Sequence, residues 1–348
     1  QLEFSEFNFD KTNEYHLLIK FHTIKETDWV EKDYPIAWDQ FEISLENKEK
    51  PEEPLQLEEL VVEDIGNQLK IHNESFTVLV GRESGCIENY NYKGYELISS
   101  ELRPNLWRAP TDNERELTTF VPFLSRIFRD PWRDASKRRK VVRFEVIESK
   151  TDVEIQVSFK IPNGKTTFDS NLKILGNGDI IVENSFVPKK DLTRFGMQTT
   201  IHADFDTVYW FGRGPHETML DRKQGAWVGT HWLKVEEFIH DYVRPQENAN
   251  RTDVRVLALQ DWNGEGLMIT DEGGTLLSFS VWPYSQEDLA SARHIHELPR
   301  REYLTLNIDY RQKGVGGDSP AIARLHEEFK LKKNVRYWYR FRISPVVC

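Results

Sequence analysis

Period-two alternation constrains this chain more than anything else in it. Val153, Ile155, Val157, Phe159 and Ile161 share one side of a run whose intervening residues are Glu, Gln, Ser and Lys. In an extended chain successive side chains point to opposite faces, so this run buries one face and wets the other. Leu172 and Ile174 lead into Gly176-Asn177-Gly178-Asp179, and Ile180, Val182 and Phe186 follow, which predicts a hairpin. Leu257 and Leu259, then Asn263-Gly264-Glu265-Gly266, then Leu267 and Ile269 predict a second one. The pattern recurs at Leu17, Ile19 and Phe21, and at Val335, Tyr337, Tyr339, Phe341 and Ile343. With turn signals every 8–12 residues or so, these runs predict an all-β protein, a large antiparallel sandwich. Helical signals are few. Ser285 through Leu298 opens with a Ser cap and has Glu287 and Asp288 in its first turn. Residues Glu114 to Arg129 predict a short helix that Pro131 interrupts.

Charge narrows the partners. With 46 basic and 57 acidic residues the net charge is −11, the wrong sign for a protein whose main ligand is nucleic acid. No run of about 18 apolar residues exists to cross a membrane as a helix. Cys86 and Cys348 are too few for a disulfide framework and lack metal-site spacing; a bridge between the two is left open. The chain opens on Gln1 in strand-like sequence, so a cut or processed chain is expected, and its compartment, cytoplasmic or periplasmic, is not readable. Residues 47–60, rich in charge and carrying Pro51 and Pro54, read as a linker between a short β segment, 1–46, and a large domain, 61–348.

Two loops are too specific for general strand sequence: Gly212-Arg213-Gly214-Pro215-His216-Glu217 closed by Asp221-Arg222, and Tyr242-Val243-Arg244-Pro245-Gln246-Glu247-Asn248 closed by Arg251. Before them stands Trp107-Arg108-Ala109-Pro110-Thr111-Asp112-Asn113. After them come Arg293-His294 with Glu297-Leu298, then Leu306-Asn307-Ile308-Asp309, then Gly314-Val315-Gly316-Gly317-Asp318. In this order the motifs resemble the C-terminal part of family 2 β-galactosidases. Upstream, Trp29-Val30-Glu31 and Ala37-Trp38-Asp39-Gln40-Phe41 look like the end of the immunoglobulin-like domain that precedes it. The resemblance covers nearly the whole chain. It implies the last strands of an Ig-like β-sandwich, followed by an antiparallel supersandwich similar to galactose mutarotase. It places the catalytic (β/α)₈ barrel, with both catalytic glutamates, before Gln1. No catalytic residue is therefore assigned to this chain, and no cofactor either, since the family's Mg and Na ligands come mostly from earlier domains. The partners it implies are a galactoside or related carbohydrate, the missing barrel domains, and further copies in a homo-oligomer.

The candidate sugar-site residues are Arg108, Asp112 and Asn113; His216 and Glu217; Gln246, Glu247, Asn248 and Arg251; and Asp318, Ser319 and Ala321. Each polar cluster has a plainer alternative, which is to pin its own loop through Arg–carboxylate pairs and Asx-turns. For the first loop that pair would be Arg108–Asp112, and for the second Arg222–Asp221 or Arg213 with a carboxylate. The chain departs from the family pattern at Thr218 and Met219, where Asn and Tyr are usual. It departs again at Ala249, which stands for Gly and makes a positive φ harder, and at Ala321, which falls where the family presents a sugar-stacking Trp. His294, His296 and Glu297 are metal-ligand types, but i, i+2 spacing on a helix end would point the rings apart. The expectation is a non-catalytic portion that walls a sugar site and supports assembly. The alternatives are a stand-alone carbohydrate-binding module, and an aldose 1-epimerase with Glu247 as base and His216 as acid.

Overall fold

The structure, a computed structural model, describes residues 9–10, 13–43, 55–115, 130–162, 166–318 and 325–347. Residues 47–54 of the linker, 116–129 of the expected helix, Ser319, Ala321 and Cys348 lie outside the described residues. The chain divides into two units, 1–55 and 56–348. In the first, β1 (His16–His22) and β2 (Pro35–Glu42) pair antiparallel, with Leu17 opposite Phe41 and Ile19 opposite Asp39. Alternation is present there, yet Phe21, Trp29 and Ile36 are exposed.

Among the described residues, the second unit holds three antiparallel sheets. The largest has nine strands in the order β15-β14-β17-β18-β21-β12-β11-β10-β9. Its four-strand meander, β9 (Lys140–Glu148), β10 (Asp152–Ile161), β11 (Thr166–Leu175) and β12 (Ile180–Phe186), is joined to β14 (Thr207–Gly214), β15 (Trp227–Lys234), β17 (Val256–Gln260) and β18 (Gly266–Asp271). The joint is β21 (Tyr337–Val346), which pairs with β18 on one side and β12 on the other. A five-stranded sheet, in the order β16 (Arg251–Val254), β19 (Leu277–Trp282), β20 (Tyr303–Gln312), β13 (Arg194–His202) and β8 (Arg103–Asn105), packs against it, and another holds β3 (Val61–Asp64), β4 (Gln68–His72), β5 (Phe76–Gly81), β6 (Ile87–Tyr92) and β7 (Tyr95–Ile98) in chain order.

The alternation explains why the sheets stack. All five apolar residues of β10 are buried, and the polar residues between them remain at least partly accessible. Burying each such side chain stabilises the fold by about 1.5–3 kcal/mol. In the five-stranded sheet, Phe195 of β13 (Arg194–His202) packs its ring 5.6 Å from Phe168 of β11 and 5.2 Å from Tyr339 of β21. Trp210 of β14 meets Phe279 of β19 (Leu277–Trp282) at 6.2 Å. These rings form the layer between the two sheets. The β11–β12 turn needs Gly178: its φ is +92°, and a Cβ would come within 2.8 Å of the Tyr92 ring. Its carbonyl accepts from the buried Tyr90 hydroxyl at 2.7 Å, tying the β3–β7 sheet to the turn.

Two sequence expectations change. The helix expected over Ser285–Leu298 is α2, Gln286–Ser291, one short segment after α1 (Val235–Phe238). Ser285 and Asp288 do form a reciprocal cap. Ala292 then adopts extended geometry, and Glu297 takes the Arg293 N–H and contacts His294, a local side-chain turn that competes with helix continuation. Val335 is exposed and precedes β21, so the final alternating run begins at Tyr337.

Candidate functional site

Strand β20 (Tyr303–Gln312) carries Asn307 and Asp309 on one face, and the neighbouring β13 carries Arg194 and Gln198. All four are buried, with Arg194, Asn307 and Asp309 fully so. Between Arg194 and Gln198 stands Gly196, and a Cβ there would lie 1.8 Å from Asp309 Oδ1. The missing side chain is the space that Asp309 occupies. Arg194 donates to Glu247 and, at 2.8 Å, to Gln286; its Nε lies 3.1 Å from Asp309 Oδ2. That last pair is close but not aligned as a hydrogen bond, so its attraction is mainly Coulombic. Gln312 donates to Glu247 at 2.9 Å and to Asn250 at 3.1 Å.

One guanidinium thus faces two buried carboxyls. Burial pushes Glu247 above the usual carboxylate range against the pull of Arg194 and Gln312. Burial pushes Asp309 further, to about 7, with Arg194 opposing and the Glu247 charge adding.

The conspicuous loops interlock around this core. Arg108, buried, pairs with Glu114 at 3.0 Å and donates to the carbonyls of Lys313 at 2.7 Å and Gly314 at 2.9 Å. Burial alone would raise Glu114, but Arg108 and Lys313 outweigh it and hold the carboxyl well below its usual range. Asp112 is exposed and exchanges hydrogen bonds with Gln246: its N–H donates at 3.1 Å, and its carboxylate accepts at 2.9 Å. Asn113 donates to the Val315 carbonyl at 2.7 Å. The expected Arg108–Asp112 pair is therefore replaced by Arg108–Glu114, because residues 112–115 turn helically and bring Glu114 under the guanidinium.

Glu217 joins the other two loops. It accepts from Arg222, from the Tyr242 hydroxyl at 2.7 Å and from the Ala249 N–H at 2.6 Å. Arg222 therefore pairs with Glu217 rather than Asp221, which instead caps the Val315 and Gly316 N–H groups at 2.9 and 2.6 Å. Arg213 pairs with Asp253 at 2.6 Å. Thr218 is buried and bonds Thr252 at 2.9 Å, so this departure from the family pattern sits in a structural staple. Ala249 adopts φ +64° in spite of its side chain, held by the Glu217 contact. Asn248 donates to the Gln246 carbonyl at 3.0 Å, and Trp282 donates to the Asn248 carbonyl at 3.0 Å.

Arg251 is 2% exposed, with its guanidinium 3.9 Å from the Phe238 ring centre and 5.3 Å from that of Trp210. Burial lowers its pKa to about 9. It also borders an open cleft of about 680 Å³ lined by His216, Glu217, Arg222, His240 and Tyr242, among others. His216 and Asp318 are exposed, and Asp318 bonds His326 at 2.7 Å. Glu247 does not line that cleft. Buried and bonded to Arg194, it cannot converge with His216 as the epimerase assignment requires. The His294 and His296 rings do not diverge either: they stack 5.4 Å apart at 12°, because residues 295–297 form a tight 3-10 turn instead of helix. Sequence reasoning missed Arg194, Gln198, Gln286 and Gln312. Asn307 and Asp309 were the visible part of this cluster, but their alternation with Leu306 and Ile308 reads in sequence as a wet face, which the structure buries.

The family described as "Beta galactosidase small chain" matches residues 72–343. A beta-galactosidase of Priestia megaterium is 30% identical over 340 residues, which are 97% of this chain and 32% of that protein. One from Streptococcus thermophilus is 27% identical, over 92% of this chain and 30% of its own length. The chain spans about a third of the length of the curated relatives it matches. Superposition on a galactose 1-epimerase of Lactobacillus acidophilus covers 84% of this chain and 100% of the other, at 9% identity and a TM-score of 0.38.

Proposed function

This chain belongs to the β-galactosidase small-chain family, and from that premise we propose that it is the non-catalytic C-terminal portion of a β-galactosidase-like glycoside hydrolase. Its part is to wall one side of the sugar site and support assembly. The whole enzyme then hydrolyses terminal β-galactosides with retention, using two carboxyl groups about 5–5.5 Å apart that belong to another part of the protein. The observation that carries this reading is the engagement of the acidic side chains in the candidate motifs. Glu217 is held by two side chains and a backbone N–H, Glu247 by Arg194 and Gln312, and Asp112 by Gln246. Carboxylates fixed in this way hold loops in place; they are not free to attack the anomeric carbon or to protonate the glycosidic oxygen. The chain's share of its relatives' length agrees with a portion that works beside other domains.

The test is turnover of a chromogenic galactoside by the purified chain, alone and mixed with a family β-galactosidase from which the matching region has been deleted. No turnover alone and restored turnover in the mixture are expected. Hydrolysis by the chain alone overturns the reading. A second reading, carbohydrate binding by the chain itself, is favoured by the cleft that His216, Arg222 and Tyr242 border. Line-broadening of a galactoside at millimolar concentration, lost in Tyr242→Ala, supports it, and its absence removes it.

A further inference from the structure

One cluster of ligand-type side chains takes no part in the interlocked loops. His294, His296 and Glu297 bring one ligand atom each to within 4.8 Å of one another, and all three are exposed. The 3-10 turn Ile295–Glu297 does this, folding the chain back where α2 has ended and before β20 begins. Glu297 is already oriented. One oxygen accepts the Arg293 N–H at 2.8 Å, and the other lies 3.1 Å from His294 Nδ1. The exposed His294 and His296 rings stack nearly parallel, with their centres 5.4 Å apart.

We propose that this turn is a binding site for a divalent transition ion, Zn²⁺ in the first instance, with His294, His296 and Glu297 as protein ligands and water completing the tetrahedron. The donor set selects the metal. Two imidazoles and one carboxylate suit Zn²⁺, whereas Mg²⁺ and Ca²⁺ want oxygen ligands throughout. Spacing agrees. Bonds of about 2.0–2.1 Å at tetrahedral angles put donor atoms roughly 3.3 Å apart. His294 and Glu297 stand at nearly that distance, and a ring rotation of the exposed His296 closes the third edge. The ion replaces one exposed His–Glu contact, whose loss costs little. Its effect is to fasten the turn that leads into β20, the strand that carries Asn307 and Asp309.

The experiment is calorimetric titration of the chelator-stripped full chain with ZnCl₂, repeated with MgCl₂. Expected is one saturable Zn²⁺ site per chain and no Mg²⁺ response. His296→Ala and Glu297→Gln should each weaken binding at least about tenfold, since loss of even an outer-shell partner has that effect. The three side chains are exposed, so circular dichroism should report an unchanged fold in each variant. Absence of saturable Zn²⁺ binding overturns the proposal, and so does unchanged binding in the double variant His294→Ala/His296→Ala.

Discussion

Asp309→Asn should flatten the dependence of stability on pH. The carboxyl is fully buried and pushed up to about 7 from an ordinary value of 3.8, a difference of about 3 units. At 1.36 kcal/mol per unit, keeping it ionised inside the fold costs on the order of 4 kcal/mol. Between pH 4 and 7 the native protein holds a proton that the unfolded chain has released. Stability therefore falls as pH rises through that window, and the penalty is complete above about pH 7. Asparagine keeps the shape beside Gly196 and cannot ionise, and Arg194 still has Glu247. The variant should thus gain stability relative to the parent as pH rises, by about 2–4 kcal/mol at pH 8 once the lost attraction to Arg194 is allowed for. Some slope should survive in the variant, because burial also raises Glu247. Urea unfolding at half-unit steps from pH 5 to 8.5 measures both profiles. The diagnostic quantity is their difference, in which the titrating groups that do not interact with Asp309 cancel and Glu247, which shares Arg194 with it, contributes a smaller share. Parallel profiles, or a variant that loses ground with rising pH, would refute the assignment of a buried proton to Asp309.

Two substitutions probe the same architecture from other sides. Glu217→Ala removes the acceptor for Arg222, Tyr242 and the Ala249 N–H, and should lower unfolding free energy by about 2–3 kcal/mol in urea; Glu217→Gln should recover most of it. Gly196→Ala places a methyl 1.8 Å from Asp309 Oδ1 and 2.8 Å from its Cα, which should cost about 3 kcal/mol in thermal melts; Asp309→Ala should rescue part of that.

Strands were readable where chemistry repeats. Val153 to Ile161 announced β10, and Gly176 to Asp179 announced the turn beyond it, because alternation and positive-φ glycine are local signals. The candidate loops were readable as loops over Pro215–Arg222 and Tyr242–Asn250, where polar and Pro-bearing composition breaks the alternation, but Gly212–Gly214 end strand β14 and Arg251 opens another strand. The bonding of the loops was not readable. Arg108 found Glu114 instead of Asp112, and Arg222 found Glu217 instead of Asp221, because spacing along the chain does not say which carboxylate a helical turn or a folded loop will bring round. Arg194 carried no motif at all. Its partners come from β20, α2 and the Gln246–Arg251 loop, and only tertiary packing collects them. The divergence expected for His294 and His296 assumed a helix that ends at Ser291.

The place of β21 has a consequence for how the protein is made. On the ribosome the chain emerges from its start, and every other described strand has appeared before Tyr337–Val346 does. Until then β12 and β18 each present a bare edge, and the two halves of the nine-stranded sheet have nothing to close them. Nascent chains at that stage display the unpaired N–H and C=O groups that recruit other strands, at the time when crowding on a polysome brings them close. Synthesis of β21, and any chaperone that shields the open seam until that strand arrives, should therefore decide how much of the protein escapes aggregation.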